Sequence, residues 1–253
     1  MKRSTGSGEA DWPDRIPDKE WEIYQQAIKA LESAGVPIAL GGAFAVATYT
    51  DHWRNTKDLD VYILPEDRDR AVQAVTGAGF QDYYEVEEYD RTWIYRSYKG
   101  DVIVDLIWAM ANANIDVDET WVKGGSIQQV RDKRLRAVPA EEMVWSKLYV
   151  LEKDRSDWPD VINIIAMDGD QMDWCHLVAR LAGDLPLLTG VLAIFSWLDP
   201  GRAAELPAWL WGHLPLQEPP APISMREIQR RAHSVDSRPW YAPLLNPEDV
   251  EKF

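Results

Sequence analysis

The sequence predicts an α+β protein, with strands and helices interleaved over the first half and helices alone over the second. Three observations predict this. Residues 36–64 run from a short apolar strand through the pair Gly41-Gly42, a small-residue helix at 43–50 and a polar turn to a second apolar run that opens with Lys57-Asp58-Leu59-Asp60. Residues 102–108 are a further apolar run holding one carboxylate, Asp105. From Pro139 onward, apolar residues recur at helical three- and four-residue steps.

With 253 residues and 46% apolar content, the chain has room for one large or two small globular domains. The first eighteen residues are polar and carry two prolines, so no secretory signal is expected. The longest apolar run, 185–198, is interrupted by Pro186, Thr189, Gly190 and Ser196 and is expected to be too short to span a bilayer. The one cysteine, Cys175, excludes an internal disulfide and fits a reducing compartment, so a cytoplasmic protein without a membrane partner is expected. A net charge of −15 repels polyanions at long range and disfavours broad nonspecific nucleic-acid binding. Two basic runs, 131–136 and 226–231, either hold an RNA end or form faces balanced by nearby acids.

In chain order, residues 1–13 read as a disordered leader. Residues 18–35 read as a helix with Trp21, Tyr24, Ile28 and Leu31 on its apolar side, capped by Asp18 and closed by Gly35. After the strand–glycine–helix–strand unit, 66–78 is a helix, and 83–88 with 92–98 alternate as a hairpin. Residues 112–119 read as a loop near the site, Gly124-Gly125 as a turn, and 126–138 as a strand pair carrying basic residues. Helices follow at 141–152, 158–167, 173–182 (stopped by Gly183), 185–197 and 207–214, with Trp197, Trp209 and Trp211 adding bulk to a helical core. A proline-rich linker at 217–222, a short basic helix at 225–232 and an extended arm close the chain. The expected divisions are a leader (1–13), a sheet domain (14–138), a helical domain (139–216) and a linker with its arm (217–253).

Side chains alternate faces on a strand, so Asp58 and Asp60 share one face while Leu59, Val61 and Ile63 take the other. Two carboxylates roughly 7 Å apart along a strand suit a hard cation such as Mg²⁺. The glycines allow close approach, and the helix behind them offers unpaired N–H groups to an anion. Asp105, inside an apolar strand, must be paired, protonated or bound to a cation. Three acids at one site, each pair about 5 Å apart at an effective dielectric of ~20, repel by roughly 3 kcal/mol per pair. Without a cation, one of them takes up a proton or holds an arginine. No His/Cys cluster has zinc spacing, and His176 and His213 read as core or surface residues.

Gly41-Gly42 followed by Asp58-x-Asp60 resembles the signature of the nucleotidyltransferase superfamily that includes DNA polymerase beta. Arg54-x-Thr56-Lys57-Asp58 is similar to the small bacterial branch with AbiEii-type toxins, as in part are Lys147, Arg155, Asp157 and Asp160. Ser156 stands where that branch commonly has lysine. The resemblance implies a nucleotidyltransferase-type mixed sheet flanked by helices, followed by a C-terminal helical domain. It implies a catalytic triad of Asp58, Asp60 and Asp105 holding Mg²⁺ or Mn²⁺. It also implies an NTP bound by Gly41, Gly42, Arg54, Lys57 and Lys147. Asp157 and Asp160 then cap and brace the interface, with Arg155 as their partner. The implied reaction moves a nucleoside monophosphate to a hydroxyl acceptor. That acceptor is an RNA (tRNA) 3′ end, with an antitoxin-like protein as possible partner, or a small molecule as in antibiotic-modifying relatives. A non-catalytic binder and a sugar transferase using Asp-x-Asp are the alternatives, the latter explaining neither the glycine pair nor Asp105.

Overall fold

The computed structural model describes residues 12–54, 56, 58–112 and 115–245. At its centre five strands lie in the order β1 (Ala39–Leu40), β2 (Asp58–Tyr62), β5 (Val102–Ile107), β4 (Ile94–Lys99) and β3 (Gln81–Asp82). β2 and β5 pair in parallel and the other neighbours antiparallel, so the sheet is mixed. A parallel pair needs a crossover, which α3 (Arg68–Gly77) and the β3–β4 segment supply.

Alternation decides what each face meets. Leu59 and Val61 of β2 and Ile63 just beyond it, with Val104 and Leu106 of β5, pack against Trp21, Tyr24, Ile28 and Leu31 of α1 (Asp18–Ser33) and against Ala71 and Val75 of α3. Asp58, Asp60 and Asp105 lie on the opposite face, where α2 (Gly42–Thr50) and the C-terminal helices pack. Those helices are α4 (Ala140–Leu148), α5 (Trp158–Asp168), α6 (Trp174–Leu181), α7 (Leu185–Leu198), α8 (Pro200–Ala203), α9 (Ala208–His213) and α10 (Met225–Val235). One apolar cluster runs from Tyr62, Ile94 and Ile107 of the sheet through Met143, Val161 and Ile165 to Leu192, Phe195 and Leu210. A hairpin, β6 (Ile127–Val130) with β7 (Lys133–Arg136), carries the first basic run as expected, and beyond it Ala137 bridges Leu40 on the free edge of β1.

Several local expectations are corrected. Pro17 takes the N-cap position of α1, and Asp18 pairs with Arg131 instead of capping. Gly35, at φ +66°, does close that helix. Residues 83–88 are not a strand: the Asp82 carboxylate accepts the Tyr84 N–H, turning Tyr83–Glu85 into a 3-10 helix and leaving β3 two residues long. Helix α4 ends at Leu148, so Leu151 is exposed. Trp211 is buried, but Trp197 and Trp209 are 41% and 43% exposed. Helix α6 stops at Ala182, whose φ is +44°, not at Gly183.

The helical stretch Trp174–Leu198 joins α6 to α7 and by length and composition is long enough to cross a membrane, which the run at 185–198 alone did not suggest. Here it bends at Ala182 and turns Leu188, Val191, Leu192, Phe195 and Leu198 into the core. At the start of the described chain, Trp12 and Pro13, expected to belong to a disordered leader, are instead buried in a 3-10 helix (Trp12–Arg15), with Trp12 stacked on Trp53; residues 1–11 lie outside the described residues. At the other end, the Asn163 side chain donates to Trp240 O and accepts from Ala242 N, both at 2.8 Å, and the buried Tyr241 hydroxyl donates to Asp199. These bonds hold the expected arm against α5.

Candidate functional site

Register builds the site. Asp60 lies directly opposite Asp105 in the parallel pair, and Asp105 directly opposite Arg96 in the antiparallel pair, so one row across three strands reads Asp60, Asp105, Arg96. Adjacent strands are about 4.8 Å apart, which brings two carboxylates side by side on one face. Asp58 shares that face two residues along, and the Thr56 hydroxyl donates to it. The register therefore puts Asp58, Asp60 and Asp105 on one face of the sheet.

Asp105 is 1% exposed, and both its oxygens are held by Arg96: Nε to Oδ1 at 2.9 Å and Nη2 to Oδ2 at 2.7 Å. Burial raises its pKa above the ordinary carboxylate range, Arg96 pulls against that rise, and Asp58 adds to it. Asp60 is pushed up to about 7, first by burial and then by Asp58 and Asp105, with Lys147 and Arg96 opposing. Arg96 was missed from the sequence. The expectation that one acid would hold an arginine was right, but the strand register that selects this arginine is non-local.

The glycine pair is explained by close approach. A Cβ on Gly42 would stand 1.7 Å from Asp60 Oδ2, and Gly42 has φ +49°. A Cβ on Gly41 would stand 2.0 Å from the Tyr62 ring. The Gly41 N–H donates to Asp60 O at 2.9 Å, so it is spent within the sheet and is not open to a phosphate. The N–H groups of Gly42, Ala43 and Phe44 open α2, which no side chain caps, and they have no acceptor within the helix. The Asp60 carboxylate thus lies beside a helix N-terminus that attracts anions.

A second polar node adjoins it. Lys147, 8% exposed, donates to Asp157 Oδ2 at 2.7 Å and to Asp160 Oδ2 at 2.8 Å. Burial alone would lower the lysine's pKa, but Asp160 and Asp157 outweigh it and hold the ammonium above its ordinary value. Arg155 pairs with Asp157, as expected from the sequence, and Arg54 stands 3.7 Å from Asp160. The ammonium of Lys147 is thus engaged by two carboxylates, and Arg54 is largely exposed. Lys57 lies outside the described residues.

Between α2, the N-terminus of α5 and the C-terminal arm lies a cleft of about 370 Å³. Ala43, Arg54, Asp160, Asn163, Arg238 and Trp240 are among its walls.

Among the described residues, no three Asp, Glu, His or Cys side chains form a ready metal cage. Arg96 occupies both oxygens of Asp105. The donor chemistry still fits a hard divalent cation: Asp58 and Asp60 present oxygens on one face, and the negative charge crowded there is what such an ion relieves.

Among solved structures, twelve chains match. The crystal structure of ANT(2'')-Ia in complex with adenylyl-2''-tobramycin is 14% identical with a TM-score of 0.51, the match covering 66% of this chain and 99% of that one. The solution structure of the antibiotic-resistance factor ANT(2'')-Ia is 16% identical (TM-score 0.47; 69% and 95% covered). The lincomycin-bound lincosamide antibiotic adenylyltransferase LnuA is 15% identical (TM-score 0.42; 60% and 98% covered). At 14% identity, the likeness to the first of these is one of fold alone. No curated protein matches. The family described as uncharacterised nucleotidyltransferase matches residues 21–192, which hold the glycine pair, all three acids and Lys147; the chain belongs to that family.

Proposed function

We propose that this chain transfers a nucleoside monophosphate from an NTP to the hydroxyl of a small molecule, using a divalent cation. The observation that carries this reading is the Asp60 carboxylate packed against Gly42, in a row with Asp105 and beside the uncapped start of α2. Asp58 and Asp60, with Asp105 once it leaves Arg96, would hold Mg²⁺ or Mn²⁺. The ion would neutralise charge on the reacting phosphate and orient it. The N–H groups of Gly42, Ala43 and Phe44 receive the triphosphate, and Arg54 reaches it from the cleft rim. Lys147 acts on the nucleotide through Asp160 and Asp157, which it fixes at the cleft wall. In-line attack by the acceptor hydroxyl on the α-phosphate forms the new P–O bond and expels pyrophosphate, the hydroxyl proton passing to a carboxylate or water.

A small acceptor fits the molecule better than an RNA end. Five of the seven basic residues in the two runs are engaged internally: Arg131 on Asp18, Lys133 on Glu32, Arg136 on Gly125 O, and Arg230 and Arg231 on Glu227, while Arg134 and Arg226 are exposed. The net charge of −15 opposes a polyanion, and the cleft beside the start of α2, which Ala43 and Arg54 line and the three acids do not, is of small-molecule size. Those pairings count against an RNA acceptor, the toxin-type reading, and do not bear on a protein partner.

The test is incubation with Mg²⁺, each α-labelled NTP, a panel of aminoglycosides, lincosamides and other hydroxyl compounds, and total RNA. The expected result is pyrophosphate release with label on a small molecule, lost in Asp60→Asn. Label on RNA would reject the acceptor, and unchanged labelling in Asp60→Asn would reject the site.

A further inference from the structure

The row Asp60, Asp105, Arg96 contains a conflict that an ordinary structural ion pair does not. Like charges directly opposite each other on neighbouring strands are destabilising, yet Asp60 and Asp105 are in register. Arg96, paired with Asp105 from the other side, is what offsets this. Its fork takes both oxygens of Asp105, the same oxygens a divalent cation would need. Asp105 is sealed at 1% exposure, whereas the Arg96 side chain is 34% exposed, with the Tyr83 ring 5.9 Å from its guanidinium. The arginine therefore has an outward path, and the carboxylate has none.

We infer that Arg96 is a positioning residue that stands in for the cation at Asp105: its guanidinium neutralises the third carboxylate until a divalent ion displaces it. Asp58 and Asp60 then form the entry half of the site, and Asp105 joins only as Arg96 withdraws toward Tyr83. Arg96 thereby sets the affinity for the ion, making it weaker than the three carboxylates alone would give. This inference rests on the reading of the three acids as cation ligands.

The direct test is titration of nucleotide-free protein with Mn²⁺, read by electron paramagnetic resonance of the free ion and by calorimetry. Wild type is expected to bind one ion weakly. Arg96→Gln is expected to bind it at least fivefold more tightly, with a larger Mn²⁺-induced rise in Tm from a lower ion-free Tm. Arg96→Lys, which keeps the charge and loses the two-pronged contact, should fall between them and guards against a Gln variant that folds poorly. Equal or weaker binding in both variants, with binding intact in wild type, overturns the role of Arg96 and leaves the site standing. Absence of binding in wild type and both variants overturns the site and the inference together.

Discussion

Two clusters of carboxylates lie within one neighbourhood of this molecule, and they are balanced differently. At the Lys147 node, two aspartates share one buried ammonium, with Arg155 on Asp157 and Arg54 near Asp160. Three cations there cover two acids, and although burial pushes Asp157 up, Lys147 and Arg155 hold it below the ordinary carboxylate range. On the sheet, three aspartates face one guanidinium, and Asp60 is pushed up to about 7. A matched cluster is finished structure. An unmatched one stores repulsion that a ligand can release, and that distinguishes a candidate active site from a brace made of the same residue types.

Removing Lys147 should have the largest effect on stability. Lys147→Met leaves two aspartates in a buried setting and should cost about 3–5 kcal/mol, read as a lower urea midpoint. A loss below about 1 kcal/mol would mean Arg54 and Arg155 suffice, and the node would not be the matched cluster described here.

Gly42→Ala comes next. Its φ of +49° and its closeness to Asp60 predict a loss of about 1–2 kcal/mol and a larger loss of labelling, since Asp60 must move. Normal labelling would show that the glycine does not set Asp60.

Asn163→Ala should loosen the arm that walls the cleft, costing about 1 kcal/mol and speeding proteolysis between 236 and 245. An unchanged cleavage rate would remove the arm from the account of the cleft.

The smallest effect concerns Asp168, which lies outside both clusters. Burial first, then Asp170 and Glu141, raise its pKa to about 6. The folded state therefore keeps a proton that the unfolded chain gives up near about pH 4, so stability falls as pH rises from about 4 to about 6. Asp168→Asn lacks that loss. Its Tm relative to wild type should climb between pH 4.5 and pH 7, modestly because the group is half-buried; a flat difference would contradict the assignment.

The acids and glycines were legible because they depend on local rules: period-two alternation placed Asp58 with Asp60, and the apolar setting of Asp105 demanded a partner. Arg96 was not legible, since choosing it over Arg91 or Lys99 requires the β4–β5 register. The use of Gly41 was half legible: its lack of a side chain matters, but its N–H belongs to the sheet. The segment 83–88 alternates like a strand, and one carboxylate, Asp82, overrode that pattern by capping a turn. Likewise a glycine next to a helix end drew the stop to Gly183, while the positive φ falls one residue earlier, at the exposed Ala182.

The measurement that most directly tests the unmatched cluster is calorimetric titration of Mn²⁺ into wild type, Asp60→Asn and Lys147→Met under conditions where each is folded. The account predicts one site in wild type, retained in Lys147→Met and lost in Asp60→Asn, whose ion-free Tm equals or exceeds that of wild type because repulsion has been removed. Undiminished Mn²⁺ binding in Asp60→Asn, or a marked fall in its ion-free stability, would contradict it.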